Sequence, residues 1–265
     1  MKPFFAESFY DTPSNMPRLI GDRLFLNSRW YFVGGYISEV LRSRKLALKG
    51  LYDYDAWSES SYRIFKFIEG CGGRFHLRGL ENINSSLGPT VFISNHMSVL
   101  ETFIFPCIIG PHLPFTFVVK ESLVKHAIFG PVMRSRNPIV VKRINPREDF
   151  QEVLREGKKL LASGISVVIF PQSTRNVDFV PEEFNSMGVK LAKAANVPII
   201  PVAIKTDFWG NGKIIKDVGS VNRNSQIHMT FGRSFKVNGI GKDEHKSIVD
   251  FIGSNIELWK IEDGK

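Results

Sequence analysis

Short apolar runs rich in β-forming residues alternate with helical stretches from about Gly73 onward. This alternation is typical of an α/β domain whose sheet is largely buried. The runs predict strands at Phe75–Leu77, Thr90–Ser94, Phe115–Val119, Ile139–Lys142, Ser166–Phe170, Ile199–Ile204 and Gln226–Phe231. The stretches between them predict helices at about Val99–Ile109, Arg147–Ser163, Glu183–Ala195 and Lys242–Trp259. We therefore predict an α/β fold with a central, mostly parallel or mixed sheet flanked by helices.

The first 72 residues show a different pattern, in which aromatic and basic residues alternate without strand-like runs. Between Tyr36 and Leu51 the polar positions are mostly arginine and lysine. Such a helix can lie on a membrane surface, with its cations on anionic lipid. It can equally pack on the neighbouring domain and leave a basic face in water. We predict an N-terminal helical segment over residues 1–72 and an α/β domain over residues 73–265, and both roles of the segment stay open.

The charge balance narrows the class of partner. The chain has 265 residues, with 35 Lys and Arg against 26 Asp and Glu, for a formal net charge of +9. A nucleic acid, an anionic membrane surface or a phosphorylated substrate would suit this charge. The cations are scattered and no recognised nucleic-acid-binding motif accompanies them, so we expect no nucleic acid partner.

The cysteines and the apolar runs bear on location. Cys71 and Cys107 are the two cysteines, and no Cys/His spacing suggests zinc, so we expect a reducing compartment and no metal. No apolar run approaches the roughly 18 residues of a membrane span. Acidic residues and prolines occupy the place of a signal peptide's apolar stretch. We expect a cytoplasmic protein, soluble or peripheral on the membrane face.

In open α/β sheets, sites form where strands hand over to loops, and His96 follows the predicted strand Thr90–Ser94. A histidine there, with Glu101 close behind it, predicts a general base whose second nitrogen is held by an acid. Two side chains five residues apart on one helix point about 140° away from each other. His96 must therefore lie in the loop before the helix, and Glu101 in the first turn. An alternative interpretation stays open: Ser98 and Glu101 also form a capping-box sequence, in which Glu101 would reach back to the backbone N–H of Ser98 and cap the helix.

Two further groups of polar residues follow predicted strands. The loop after Phe170 carries Gln172, Ser173, Thr174 and Arg175, which could bind a phosphate or a developing oxyanion. Lys120 and Arg143 are cations at the ends of two other strands. Each group, taken alone, also fits an ordinary polar turn or a solvated strand boundary.

In this order the segments resemble the glycerolipid acyltransferase family typified by 1-acylglycerol-3-phosphate acyltransferases. That family carries His and Asp separated by four residues, a Gly…Arg block, Phe-Pro-Glu-Gly-Thr-Arg, and a Val-Pro-Ile-x-Pro-Val strand. The resemblance covers roughly residues 73–235. The corresponding blocks here are His96…Glu101, Lys120–Leu123…Gly130…Arg143, Phe170-Pro171-Gln172-Ser173-Thr174-Arg175 and Val197-Pro198-Ile199-Ile200-Pro201-Val202.

The resemblance implies that His96 takes a proton from the hydroxyl of a lysophospholipid as that hydroxyl attacks an acyl thioester, with Glu101 orienting the imidazole. It implies that Arg143 and Arg175, together with Lys120, hold the acceptor phosphate. The loop Gln172–Thr174 would contact the acceptor or the oxyanion. The donor would be acyl-CoA or acyl carrier protein, no cofactor would be required, and the protein would be an O-acyltransferase.

This chain departs from the family pattern at three positions: Glu101 replaces Asp, Gln172 replaces Glu and Ser173 replaces Gly. Glu101 keeps the carboxylate on a longer stem. Gln172 removes a negative charge beside the expected acceptor pocket, and Ser173 disfavours a positive φ. These changes favour an altered acceptor. They also leave open a catalytically silent, lipid-binding or membrane-scaffold protein on the same fold.

Overall fold

A computed structural model describes residues 1–84, 88–172, 174–212 and 217–264. Its strands are β1 Phe9–Asp11, β2 Phe75–Arg78, β3 Val91–Ser94, β4 Phe115–Lys120, β5 Ile139–Val141, β6 Ser166–Ile169, β7 Ile199–Lys205 and β8 Ile227–Phe231. Its α-helices are α1 Ile20–Leu24, α2 Arg29–Leu48, α3 Tyr54–Gly70, α4 Leu100–Ile109, α5 Glu121–Lys125, α6 Gly130–Arg134, α7 Pro146–Ala162, α8 Met187–Ala195 and α9 Lys242–Glu262.

The described strands form one mixed sheet in the order β1-β2-β8-β7-β3-β6-β4-β5. From β7 to β5 all neighbours are parallel, whereas β8 is antiparallel to β7, β2 is parallel to β8 and β1 is antiparallel to β2. Strands β3, β6 and β7 are buried along their whole length, which explains their continuous apolar runs. The predicted α/β fold, with a mostly parallel or mixed sheet between helices, is confirmed.

Successive side chains of the central strands point to opposite faces of the sheet and pack into two apolar layers. On β3, Phe92 belongs to the layer that includes helices α2, α3 and α4. Val91 and Ile93 belong to the opposite layer, with α7, α8 and α9. The parallel strands therefore present their carboxyl ends at one edge, between two fully packed faces.

The N-terminal segment shares this core and this sheet. β1 pairs with β2, and the buried positions of α2 recur every three or four residues, with Phe32, Tyr36 and Val40 all inside. Its helices confirm the predicted helical character, but β1 was not foreseen because three residues give no readable period. The boundary at residue 72 stays a prediction about domains.

The seven predicted strands and four predicted helices all occur, with small shifts at their ends. The largest concerns α8, which begins at Met187 rather than Glu183, because the chain first makes a separate 3-10 turn over Pro181–Glu183. The five-residue helices α5 and α6 were not foreseen. They are too short for an apolar stripe to repeat.

Candidate active site

Asn95 fixes the point where the chain leaves β3. Its buried side-chain amide donates to the carbonyl of Ile204 at 2.9 Å, and its Oδ1 accepts from the backbone N–H of Ile204 at 2.9 Å. This side chain extends the pairing between β3 and β7 by one step in place of a backbone peptide. The next residue, His96, is thereby held at the carboxyl edge of the sheet.

His96 lies in the loop after β3, and Glu101 lies in the first turn of α4. The His96 Nδ1 and the Glu101 Oε1 are 2.8 Å apart. Glu101 is fully buried, while the His96 side chain keeps 13% of its surface exposed. The geometry that the spacing of these two residues required is therefore present.

The Glu101 carboxylate accepts five hydrogen bonds from described donors. Oε1 accepts from His96 Nδ1 and from the backbone N–H groups of Met97 and Ser98, at 2.8 to 2.9 Å. Oε2 accepts from the hydroxyls of Ser98 at 3.0 Å and Thr206 at 2.8 Å. The capping contact with Ser98 and the pairing with His96 coexist on one carboxylate, so the two interpretations of Glu101 do not exclude each other.

These contacts decide the charge of Glu101. Burial alone would raise the pKa of this carboxyl, but the hydrogen bond and the charge of His96, with the Thr206 hydroxyl, outweigh burial and lower it. Glu101 is therefore ionised at neutral pH. A buried anion with this many donors is also rigid, because each donor restricts its rotation.

The His96 ring is held by a stacking contact on its face as well as by the hydrogen bond from Nδ1 to Glu101. It stacks on Phe170, the residue after β6, with ring centres 4.3 Å apart and planes 19° from parallel. Because the Glu101 carboxylate accepts at Nδ1, that nitrogen carries the proton and Nε2 offers its lone pair. The arrangement can remove a proton from a group placed beside Nε2.

Gln172 lies beneath this loop rather than on the surface. Its Oε1 accepts from the backbone N–H of His96 at 2.7 Å, and its side chain is 3% exposed. Within the described residues its Nε2 has no hydrogen-bond partner. Thr174 is exposed, and the predicted position Ser173 lies outside the described residues.

Two of the predicted arginines lie within electrostatic range of each other. Arg175 Nη1 pairs with Asp217 Oδ1 at 2.6 Å. Arg143 has a positive φ of 58°, and its loop is held by Asp149, whose carboxylate accepts the backbone N–H groups of Lys142 and Arg143 at 2.9 and 2.8 Å. Burial lowers the pKa of Arg143 and the charge of Arg175 lowers it further, while Asp149 opposes the shift.

Lys120 lies at the same edge of the sheet, where β4 turns into α5. Its backbone is in register with Val141 of β5, two residues before Arg143, and its side chain is exposed. The structure thus brings the His96 loop, the loop after β6 and the two other strand ends to one edge. Parallel strand direction is the physical reason, because it gathers the residues that follow each strand.

The sequence patterns did not predict that Thr206, Asp217 and Asn95 take part in the site. Thr206 directly follows β7, so the rule that singles out residues after strands could have found it. Asp217 lies twelve residues after the end of β7, and no local pattern marks it. Asn95 precedes His96, but its exchange of two bonds with Ile204 depends on the neighbouring strand.

Histidine–carboxylate pairs also occur beside a separate cavity of about 620 Å³ near β2, β8 and the end of α9. There His76 Nδ1 lies 2.7 Å from Asp11, and His228 Nε2 lies 3.3 Å from Asp263. Burial lowers the pKa of His228 to about 4, so its ring is neutral at physiological pH. His76 and His228 lie on β2 and β8, Asp11 ends β1 and Asp263 follows α9, so both pairs form two or more strands away from β3 in the sheet.

Two kinds of feature are absent from the described ranges. These ranges contain no cluster of three or more His, Cys, Asp or Glu side chains arranged to hold a metal ion. They also contain no helix with both the length and the apolar character needed to cross a bilayer.

The family model described as Acyltransferase matches residues 74–205. A 1-acyl-sn-glycerol-3-phosphate acyltransferase from Pseudomonas aeruginosa is 31% identical over 166 residues, which make up 62% of this chain and 62% of that protein. The chloroplastic 1-acyl-sn-glycerol-3-phosphate acyltransferase LPAT1 from Arabidopsis thaliana is 30% identical over 142 residues, 54% of this chain and 38% of that protein. The chain thus spans less than two thirds of the length of these relatives.

A solved structure shares the fold. The crystal structure of the 1-acyl-sn-glycerophosphate (LPA) acyltransferase PlsC from Thermotoga maritima superposes with a TM-score of 0.64 at 20% identity. The superposition covers 91% of this chain and 97% of that chain, so it includes the N-terminal helices as well as the sheet.

Proposed function

We propose that the chain, whose residues 74–205 match the acyltransferase family model, transfers a fatty acyl group from a thioester to the hydroxyl of a lysophospholipid. The observation that carries this proposal is the His96 and Glu101 pair at the carboxyl edge of the sheet, in which Glu101 accepts one hydrogen bond from His96 and four from other described donors. The names of the relatives point to 1-acylglycerol-3-phosphate as the acceptor.

In the proposed reaction, His96 Nε2 removes the proton of the acceptor hydroxyl as its oxygen attacks the thioester carbonyl. The tetrahedral intermediate collapses, the C–S bond breaks, and the imidazolium returns the proton to the leaving thiolate. Glu101 stabilises the transient imidazolium through Nδ1. Because a thioester is already an activated acyl donor, the chemistry requires no cofactor.

Arg175 and Arg143 are the groups we propose for the acceptor phosphate. Arginine binds phosphate through a planar fork of donors, and these two cations lie at the same edge as His96. Lys120 extends the positive surface toward an anionic donor, acyl-CoA or acyl carrier protein. The roles of Gln172 and Thr174 at this site are part of the same proposal.

We also propose that the protein binds an anionic membrane surface through α1, α2 and the adjoining turns. One face of α2 is buried in the core, but α1, the outer face of α2 and the turns next to them expose large apolar side chains. Leu26 is 88% exposed and Ile20 is 76% exposed. The others are Leu24, Phe25, Trp30, Leu41, Leu48 and Leu51. The exposed cations among them are Arg23, Arg29, Arg42, Lys45 and Lys49.

This combination of an apolar stripe with surrounding cations suits the headgroup zone of an anionic bilayer. In this proposal one face of α2 packs on the neighbouring domain, and the opposite face binds the membrane surface. We propose a peripheral position on the cytoplasmic side, which the two buried free thiols fit.

Thioester cleavage by the purified protein, measured with a panel of lysophospholipid acceptors, tests the activity. We expect His96→Ala to lose turnover, and unchanged turnover in that variant would contradict the mechanism. The departures at Gln172 and Ser173 favour a second candidate, a silent lipid-binding protein. Binding to vesicles without turnover for any donor and acceptor would support that candidate instead.

A further inference from the structure

Thr206 is a buried residue that contacts the Glu101 carboxylate from another part of the chain. It is the first residue after β7, and its hydroxyl donates to Glu101 Oε2 at 2.8 Å across 105 residues of sequence. Among the described donors to Glu101, the other four come from His96, Met97 and Ser98, within five residues of the carboxylate.

The local donors fix the carboxylate relative to its own loop, whereas Thr206 fixes it relative to the sheet. The segment that holds Thr206 also contacts the same loop elsewhere. The Thr206 backbone N–H approaches Met97 Sδ at 3.1 Å, and Asn211 Nδ2 donates to the Met97 carbonyl at 2.9 Å. The segment that follows β7 therefore holds the loop between His96 and Glu101 in place.

A glutamate requires this support more than an aspartate does. The extra methylene adds a side-chain torsion, and the terminal torsion of glutamate is broad rather than confined to narrow wells. With Oε1 directed at His96, the orientation of the carboxylate plane depends on what binds Oε2. Thr206 and Ser98 bind Oε2, and the Ser98 hydroxyl is shared, since it also lies 3.0 Å from Thr206 Oγ1.

We propose that Thr206 is a positioning residue for the general-base pair: its hydroxyl holds Glu101 Oε2, so that Oε1 stays on His96 Nδ1. This inference rests on the proposed function of His96. Of the groups that donate to Glu101, His96 is the one that becomes charged when it takes up a proton, while Met97, Ser98 and Thr206 offer uncharged donors.

Thr206→Val removes the hydroxyl and preserves the shape of the side chain. We expect kcat for acyl transfer to fall at least about tenfold, part of the contribution that a positioned base makes. The acceptor KM should change little, because the hydrogen bonds described for Thr206 join it to Met97, Ser98 and Glu101. With one donor fewer, more of the negative charge of the Glu101 carboxylate faces His96 Nδ1. The pH dependence of kcat/KM should therefore differ from that of the wild type.

Two further variants separate positioning from general stability. Thr206→Ser keeps the hydroxyl and should restore most of kcat and the pH profile. Thr116, in β4, is a matched control. It is also fully buried, and its hydroxyl donates to the carbonyl of Arg136 at 2.7 Å. Thr116→Val should lower the unfolding temperature without moving the pH profile.

An unchanged kcat and pH profile in Thr206→Val would overturn the inference, as would an equal loss and shift in Thr116→Val. His96→Ala, measured in the same assay, separates this failure from that of the proposed function. If His96→Ala is inactive while Thr206→Val behaves like the wild type, only the inference about Thr206 fails. If His96→Ala keeps its turnover, the proposed mechanism fails first.

Discussion

Replacing Glu101 by glutamine tests whether the protein needs the charge of this residue or only its capping contacts. The two backbone N–H groups at Oε1 can only donate, so the amide oxygen of the new side chain must take that place. The two hydroxyls at Oε2 can rotate and accept from the new NH₂ group. Glu101→Gln should therefore keep the loop in place and remove only the negative charge.

The size of the effect follows from the short distance between His96 and Glu101. The transient imidazolium lies against a fully buried carboxylate, with Nδ1 and Oε1 2.8 Å apart. Two unit charges whose centres are about 4 Å apart attract by about 4 kcal/mol at an effective dielectric constant of about 20. Loss of that attraction in the transition state corresponds to a decrease in kcat of about 10³-fold.

Steady-state acyl transfer measured at saturating donor, with the acceptor varied, gives kcat and KM separately. We expect the loss in Glu101→Gln to appear in kcat, with KM nearly unchanged. A thermal unfolding midpoint close to that of the wild type would show that the loop has survived. A kcat within about threefold of the wild type, in a preparation where His96→Ala is inactive, would refute the role of the charge. Glu101 would then be a capping residue only.

The remaining predictions concern neighbouring groups. Ser98→Ala should cost about 1 kcal/mol in urea unfolding and lower kcat much less than Glu101→Gln does; the opposite ranking would favour capping alone. Arg175→Ala should raise the acceptor KM at least about tenfold with a smaller change in kcat, since it removes a charge-assisted phosphate contact; an unchanged KM would remove Arg175 from the acceptor site. Gln172→Ala should destabilise the fold by about 1 to 3 kcal/mol, because the N–H of His96 loses its acceptor; an unfolding free energy equal to that of the wild type would contradict this. Because the pKa of Glu101 is lowered on folding, its stabilising contribution is complete above its ordinary value of 4.5 and decreases as the pH falls below it; unfolding midpoints measured from pH 6 to 3 should therefore fall less steeply in Glu101→Gln. Replacing Leu24 and Phe25 by serine should weaken sedimentation with anionic vesicles, and Ile240→Ser, at an equally exposed position away from α1 and α2, should not.

The sequence was sufficient to predict the central sheet because β3, β6 and β7 are buried on both faces, so their apolar runs are continuous and strongly bounded. It could not supply the strand order, which depends on long-range pairing. β1 shows the other limit, since its place in the sheet comes from its pairing with β2 and not from its three-residue pattern.

The position of a site residue was predictable where it lies within two residues of the end of a strand, as His96 and Arg143 do. The pairing of Arg175 with Asp217 was not predictable, because it joins two loops 42 residues apart. The position of Gln172 could be read from its place after β6, but its bond to the His96 backbone could not. That contact exists only because β3 and β6 are neighbours in the sheet.

The replacement of the family's aspartate by Glu101 has a physical explanation in the first turn of α4. In a capping box the residue three positions after the N-cap is typically a glutamate or glutamine, whose side chain reaches back to the N-cap backbone N–H. Here the same reach brings Oε1 to Ser98 N, to Met97 N and to His96 Nδ1. The bond that begins the helix thus also aligns the acid with the base, and the longer stem leaves Oε2 free to be held by Thr206. Capping and base orientation are two consequences of one side-chain conformation, so a substitution that disturbs the first must also disturb the second.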